Sequence, residues 1–160
     1  MRMLVVMAVL ISACTRPSAV PQAVGSEAQE VRVVGVPASV GSAPVNVRTR
    51  LAVEGGESLY VTGPLASEVR ALAGARVEVR GRRGADQTLE ATDYDVLSVS
   101  GRPVTMGVVE RAANGGLQLR TRDGGTVRLD GAPASFRPGM KVWVQGPGSI
   151  TVQTYGVVRS

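Results

Sequence analysis

The chain has 160 residues and a formal charge of +5, and 17 of its 18 basic residues are arginine. That length holds one ordinary domain or two very small ones. With no histidine and a single cysteine, Ser-His-Asp and Cys-His catalysis, histidine metal sites and an intramolecular disulfide are all excluded.

Hydrophobic residues make up 44% of the chain but aromatic ones only 3%, so a core must be assembled from Val, Leu and Ala. The 20 glycines and 9 prolines suit many short strands joined by turns. Met1 to Ala13 has the form of a targeting segment. Arg2 supplies a positive start and Leu4 to Ile11 an apolar run, too short for a bilayer crossing, which needs about 20 residues. The run ends Ile11-Ser12-Ala13-Cys14. This resembles the lipobox of bacterial lipoproteins, in which an aliphatic residue and two small residues precede a cysteine. The resemblance implies a signal peptide over 1–13, cleavage before Cys14 and a diacylated Cys14 thiol that anchors the protein in a membrane. The alternative is a plain secretory signal with an incidental cysteine. Thr15, not Asp, follows the cysteine. In a cell with two membranes the resemblance then implies the periplasmic side of the outer membrane. Residues 14–30 carry Pro17, Ser18, Pro21, Gln22, Ser26 and Gln29 without periodicity, the composition of a flexible tether.

Val31 to Val36 reads as a strand bent or bulged at Gly35, and 37–44 as a loop. Val45, Val47, Thr49, Leu51 and Val53 alternate with polar or small residues, the period of a strand buried on one face. Glu54-Gly55-Gly56-Glu57 is a hairpin turn. Leu59 and Val61 face inward on the next strand, with Tyr60 and Thr62 outward. Ala66 to Ala73 is the best helix candidate, capped by Ser67, with Val69 and Leu72 on one face and Gly74 ending it. Val77 and Val79 mark a fourth strand, Arg82 to Gln87 a polar loop, and Leu89 to Val99 a fifth strand. Beyond the joint Ser100-Gly101-Arg102-Pro103, strands are expected at 104–110, 117–122, 126–129, 141–145 and 150–158. Pro133 and Pro138 leave little room for a helix between the last two turns.

The stretch Gly74-Ala75-Arg76-Val77-Glu78-Val79-Arg80-Gly81 returns as Gly139-Met140-Lys141-Val142-Trp143-Val144-Gln145-Gly146, 65 residues on. Upstream, Gly35 and Val36 match Gly107 and Val108, Val45 and Val47 match Leu117 and Leu119, and Arg48-Thr49-Arg50 matches Arg120-Thr121-Arg122, all 72 apart. Downstream, Tyr94 and Val96 match Tyr155 and Val157, 61 apart. Three blocks in one order point to a duplicated unit whose second copy has shorter loops.

Five strands with a helix or loop between the third and fourth resemble the OB-fold, with Gly35 and Gly107 inside the first strands and the helix slot before Gly74. The resemblance implies an all-β chain of two tandem small five-stranded OB-like barrels, over 31–100 and 101–160. Each barrel is too small to bury a generous core, so the two should share an interface. The alternative is a single β-sandwich made from both halves.

OB-like barrels bind along the outer face of the second and third strands. By that resemblance the candidate ligand-binding residues are Arg48, Arg50 and Tyr60 in the first copy and Arg120, Arg122 and Arg128 in the second. Guanidinium forks suit phosphate, carboxylate or sulfate, though arginines on a solvated strand face need no ligand at all. Trp143 alternates with two valines and points away from its own core, either as a stacking platform or buried between the copies, which is the favoured reading. Asp93 and Asp95 share a strand face but have Thr154 and Gly156 as counterparts. No P-loop, dinucleotide fingerprint or metal cluster is present, so no catalytic residue, cofactor or metal is expected. The expected function is that of a lipid-anchored, non-enzymatic envelope module for a partner protein or envelope polymer. The alternatives are capture of an anionic oligomer through the arginine faces, an acidic glycan before a nucleic acid, and a structural spacer.

Overall fold

The computed structural model describes residues 29–43, 45–146 and 150–159. The apolar leader, Cys14 and nearly all of the tether lie outside these residues. Eleven strands and one short helix account for the described chain: β1 (Glu30–Val40), β2 (Arg48–Val53), β3 (Ser58–Thr62), α1 (Ala66–Ala71), β4 (Arg76–Arg83), β5 (Thr88–Val99), β6 (Arg102–Pro103), β7 (Thr105–Arg111), β8 (Leu117–Thr121), β9 (Thr126–Leu129), β10 (Lys141–Gln145) and β11 (Thr154–Arg159).

The strands form two sheets. The first has the order β3-β2-β1-β4-β5-β6, and a parallel pairing of β3 with β5 closes five of its strands into a ring. The second has the order β11-β10-β7-β8-β9. Its ring closes through one parallel bridge, Asp130 with Thr151, flanked by hydrogen bonds from Asp130 N–H to the Ile150 carbonyl and from Val152 N–H to the Asp130 carbonyl. Strand for strand, β7 to β11 repeat β1 to β5. Closure leaves few bare strand edges, which is what lets so short a sheet stand alone. Each ring wraps its own buried cluster. Leu51, Leu59, Val77, Val79, Leu89, Tyr94 and Val96 are central to the first, and Val109, Leu119, Phe136, Val142 and Val144 to the second. The chain is therefore two OB-like barrels in tandem, not one sandwich with a common core.

Gly35 explains how one strand serves two neighbours. Residues 30–35 of β1 pair with β4, and residues 35–40 pair with β2. At the changeover a Cβ would run into the carbonyl oxygen of Ala52, so only glycine lets the strands cross this closely. Gly107 sits at the same changeover in β7, against the carbonyl of Arg120. Gly35 lies opposite Val77 and Gly107 opposite Val142, so these two sequence matches are structural equivalences.

The register corrects the repeat in one place. Gly35 faces Val53 across β2, while Gly107 faces Thr121 across β8. Thr121 therefore corresponds to Val53, 68 residues away (121 − 53), and Leu119 to Leu51. The expected pairing of Arg48-Thr49-Arg50 with Arg120-Thr121-Arg122 is off by four residues. Arg120 takes the place of Ala52, Gln118 that of Arg50, and Arg128 that of Tyr60. The four residues are lost from the β1–β2 connection, earlier than the sequence match placed the shortening. The matches of Tyr94 with Tyr155 and Val96 with Val157 hold, since the first pair lies opposite Val79 and Val144 and the second opposite Val77 and Val142.

Several expected elements shift, among them the last strand, which starts at Thr154 and not at 150. β1 runs on through Pro37 to Val40, because Pro37 lies where β4 has not yet begun and no neighbour needs its missing N–H; its carbonyl accepts instead from Gly74 N–H. β2 starts only at Arg48, leaving Val45 83% exposed in the connection. α1 is capped by Leu65 without any side-chain hydrogen bond, and not by Ser67. Between β9 and β10 there is no helix, and Phe136 fills the second barrel instead, 3% exposed.

Candidate functional site

The outer face of β2 and β3 carries Arg48, Arg50 and Tyr60. Arg48 and Arg50 are exposed because Thr49 and Leu51 take the inward positions. The Arg48 guanidinium lies over the Tyr60 ring, 5.8 Å from its centre. Arg50 donates to the Ser58 hydroxyl at 2.8 Å. Beside them a groove of about 570 Å³ runs between β2, β3, the first turn of α1 and the β4–β5 loop. Both of its walls are tied to the barrel. The Thr49 hydroxyl, on a residue 3% exposed, donates to the Ala66 carbonyl and fixes the start of α1. Tyr60 N–H donates to the Gln87 carbonyl and fixes the β4–β5 loop. That loop turns tightly through left-handed backbone at Asp86 and Gln87, which brings Asp86 to the groove. Arg70 of α1 lines it too, a residue the sequence reading passed over because it judged that helix only by its apolar face. Among the described residues no carboxylate forms an ion pair with Arg48, Arg50 or Arg70.

The three candidate arginines of the second barrel are all engaged in ion pairs. Arg120 pairs with Glu110 at 2.7 Å and Arg128 with Asp130 at 3.0 Å. Arg122 leaves its own barrel altogether. It pairs with Asp93 and lies 3.7 Å from Glu78, both on the outer face of the first barrel. Glu78 also meets Arg80 at 2.7 Å and Arg32 at 3.6 Å. The two faces that looked alike in sequence thus differ in kind: among the described residues the first has no carboxylate ion-paired to its arginines, and the other is neutralised or turned toward its neighbour.

Trp143 belongs to the joint between barrels. It packs against the first barrel's cluster together with Val104 and Val158, and Met106 is wholly part of that cluster. Gly156 makes this possible, since a Cβ there would strike the indole. Around the apolar contact sit polar ones. The Lys141 ammonium lies 3.9 Å from the centre of the Tyr94 ring, and the Tyr94 hydroxyl donates to Glu68 at 2.6 Å. Burial, then the Glu68 hydrogen bond, raises the Tyr94 pKa beyond the ordinary phenol range. Burial lowers Lys141, and burial raises Asp95 above the usual carboxylate range. A half-buried ion pair loses hydration as it gains Coulomb attraction, whereas fully burying a large apolar side chain contributes about 1.5–3 kcal/mol, of which the partly buried Trp143, Val104 and Val158 gain a share. Trp143, Met106, Val104 and Val158 therefore carry most of the joint, and Arg122 and Lys141 set its register.

Asp93 is held by Arg122, while Asp95 lines a cleft of about 510 Å³ together with Arg80 and Arg122. Among the described residues no buried side-chain polar atom lacks a partner, and no three carboxylate, cysteine or histidine groups converge as metal ligands. No known family, characterised protein or solved structure matches the chain. Its likeness to OB barrels rests on strand order and closure alone.

Proposed function

We propose that this protein is a lipid-anchored, non-enzymatic module of a bacterial cell envelope, held to the membrane through Cys14 and binding a partner protein or an envelope polymer. The observation that carries the reading is the joint. Trp143 and Arg122 fix one barrel against the other, so the outer faces keep a set relation, as a docking head on a tether requires. The sequence before it supports the anchor: an apolar run ending Ile11-Ser12-Ala13-Cys14, then a Pro- and Ser-bearing stretch that would let the head stand away from the bilayer. In a cell with two membranes, Thr15 after the cysteine favours the inner leaflet of the outer membrane.

Mass spectrometry of the protein from envelope fractions tests the anchor. A diacylated N-terminal Cys14 is expected, and Cys14→Ser should release the protein into the soluble fraction. An intact leader, or an unmodified cysteine on secreted protein, would refute it. Crosslinking in intact cells tests the binding role: recovery of no envelope component would leave the spacer as the better account. Capture of an anionic oligomer is favoured over a spacer by one feature, the groove between Arg48 and Arg70. Arg120, Arg122 and Arg128 of the second barrel give it no support, being already paired.

A further inference from the structure

We infer that the groove of the first barrel is a binding site for an acidic carbohydrate, in which Arg48 and Arg70 hold a sugar carboxylate; this rests on the envelope-binding reading and names its ligand. Six side chains decide the chemistry: Arg48, Tyr60, Thr62, Ser67, Arg70 and Asp86, all lining one groove of about 570 Å³. Arg48 and Arg70 bring two guanidinium forks with no carboxylate ion-paired to either among the described residues. A carboxylate accepts two parallel hydrogen bonds from such a fork, so a free fork beside a concave surface is a receptor for that group.

The remaining groups select among anions. Asp86 reduces the formal charge of the groove to +1, too little for a dense polyphosphate but matched to a polymer with about one carboxylate per sugar. Asp86 also accepts from sugar hydroxyls, and Thr62 and Ser67 both donate and accept. The guanidinium of Arg48 covers one face of Tyr60, so that face is closed to a stacking base, the contact a single-stranded nucleic acid relies on. The walls are pinned by Thr49 to Ala66 and by Tyr60 to Gln87, so the groove exists before the ligand arrives and little ordering is left for binding to cost.

The test uses the purified full chain, titrated calorimetrically with an oligogalacturonate, its methyl ester and a single-stranded oligonucleotide of equal length. Binding of the oligogalacturonate alone is expected, weakening modestly with added salt. Arg48→Ala and Arg70→Ala should each weaken it about tenfold, and Arg48→Lys should recover only part, because it keeps the charge and loses the fork. Arg128→Ala, in the second barrel, should change it by less than about twofold. Unchanged unfolding midpoints certify that the variants are folded. Absence of binding, equal binding of acid and ester, preference for the oligonucleotide, or an equal loss in Arg128→Ala would overturn the proposal. If the oligogalacturonate fails while crosslinking still recovers an envelope component, this site is wrong and the wider role stands. If neither binds, both fall.

Discussion

A methyl group at Gly35 or Gly107 has nowhere to go. Each would meet a backbone carbonyl of the neighbouring strand, and backbone in a closed ring cannot step aside as a flexible side chain can. Gly35→Ala and Gly107→Ala should each destabilise their barrel by about 1–3 kcal/mol through the clash, measured by urea unfolding, while Gly115→Ala, with open space around it but a left-handed backbone, should cost about 1–2 kcal/mol through backbone strain alone. These glycines were legible in the sequence, because an isolated glycine in a strand pattern signals a bend. The arginine repeat was not. Arg-Thr-Arg occurs twice by composition in an arginine-rich chain, and identity of letters hid a four-residue slip that only the strand register exposes. Asp95 offers a test with a defined sign. Burial holds it above the usual carboxylate range, so the fold favours its protonated form. That contribution is present below the ordinary aspartate value and lost as pH rises through the folded one. Asp95→Asn should therefore raise Tm at about pH 7 and give no gain at about pH 3.

At the scale of elements, the two copies differ most where α1 stands. In the first barrel Val69 and Leu72 close the core, and Tyr94 and Val96 are 0% and 1% exposed. In the second, Pro133 and Pro138 forbid the helix, Phe136 stacks edge-on against Tyr155 with centres 5.0 Å apart, and Tyr155 and Val157 remain 42% and 48% exposed. One aromatic ring plugs a barrel but does not roof it. Equivalent positions should then respond differently to a charge. Val96→Asp should cost about 3 kcal/mol or more, and Val157→Asp no more than about 0.5 kcal/mol, by thermal or urea unfolding. The helix and its loss were both readable from local chemistry, from Gly74 on one side and the two prolines on the other. The exposure of Val157 was not, since alternation tells which face a side chain takes and is silent on what covers that face.

For the whole molecule, the joint decides whether the barrels unfold as one body. Apolar contact through Trp143 is the larger contribution, so Trp143→Ala should split a single calorimetric transition into two, while Arg122→Ala should leave one transition at slightly lower temperature. Removal of the coupling by Arg122→Ala alone would reverse that ranking. The sequence put Trp143 outside its own core by alternation alone, and Gly156 was the unread half of the signal: the small residue that makes room for the indole.

Trp143 and Glu78 occupy the same place in the two barrels, each on the fourth strand and each opposite the fifth, facing Gly156 and Asp95 respectively. A head-to-tail contact between like units can in principle be repeated without end and draw out a filament. Here the unit that receives the indole has a carboxylate where it would need an indole of its own. Divergence of the copies thus leaves the first barrel without the group by which the second one docks.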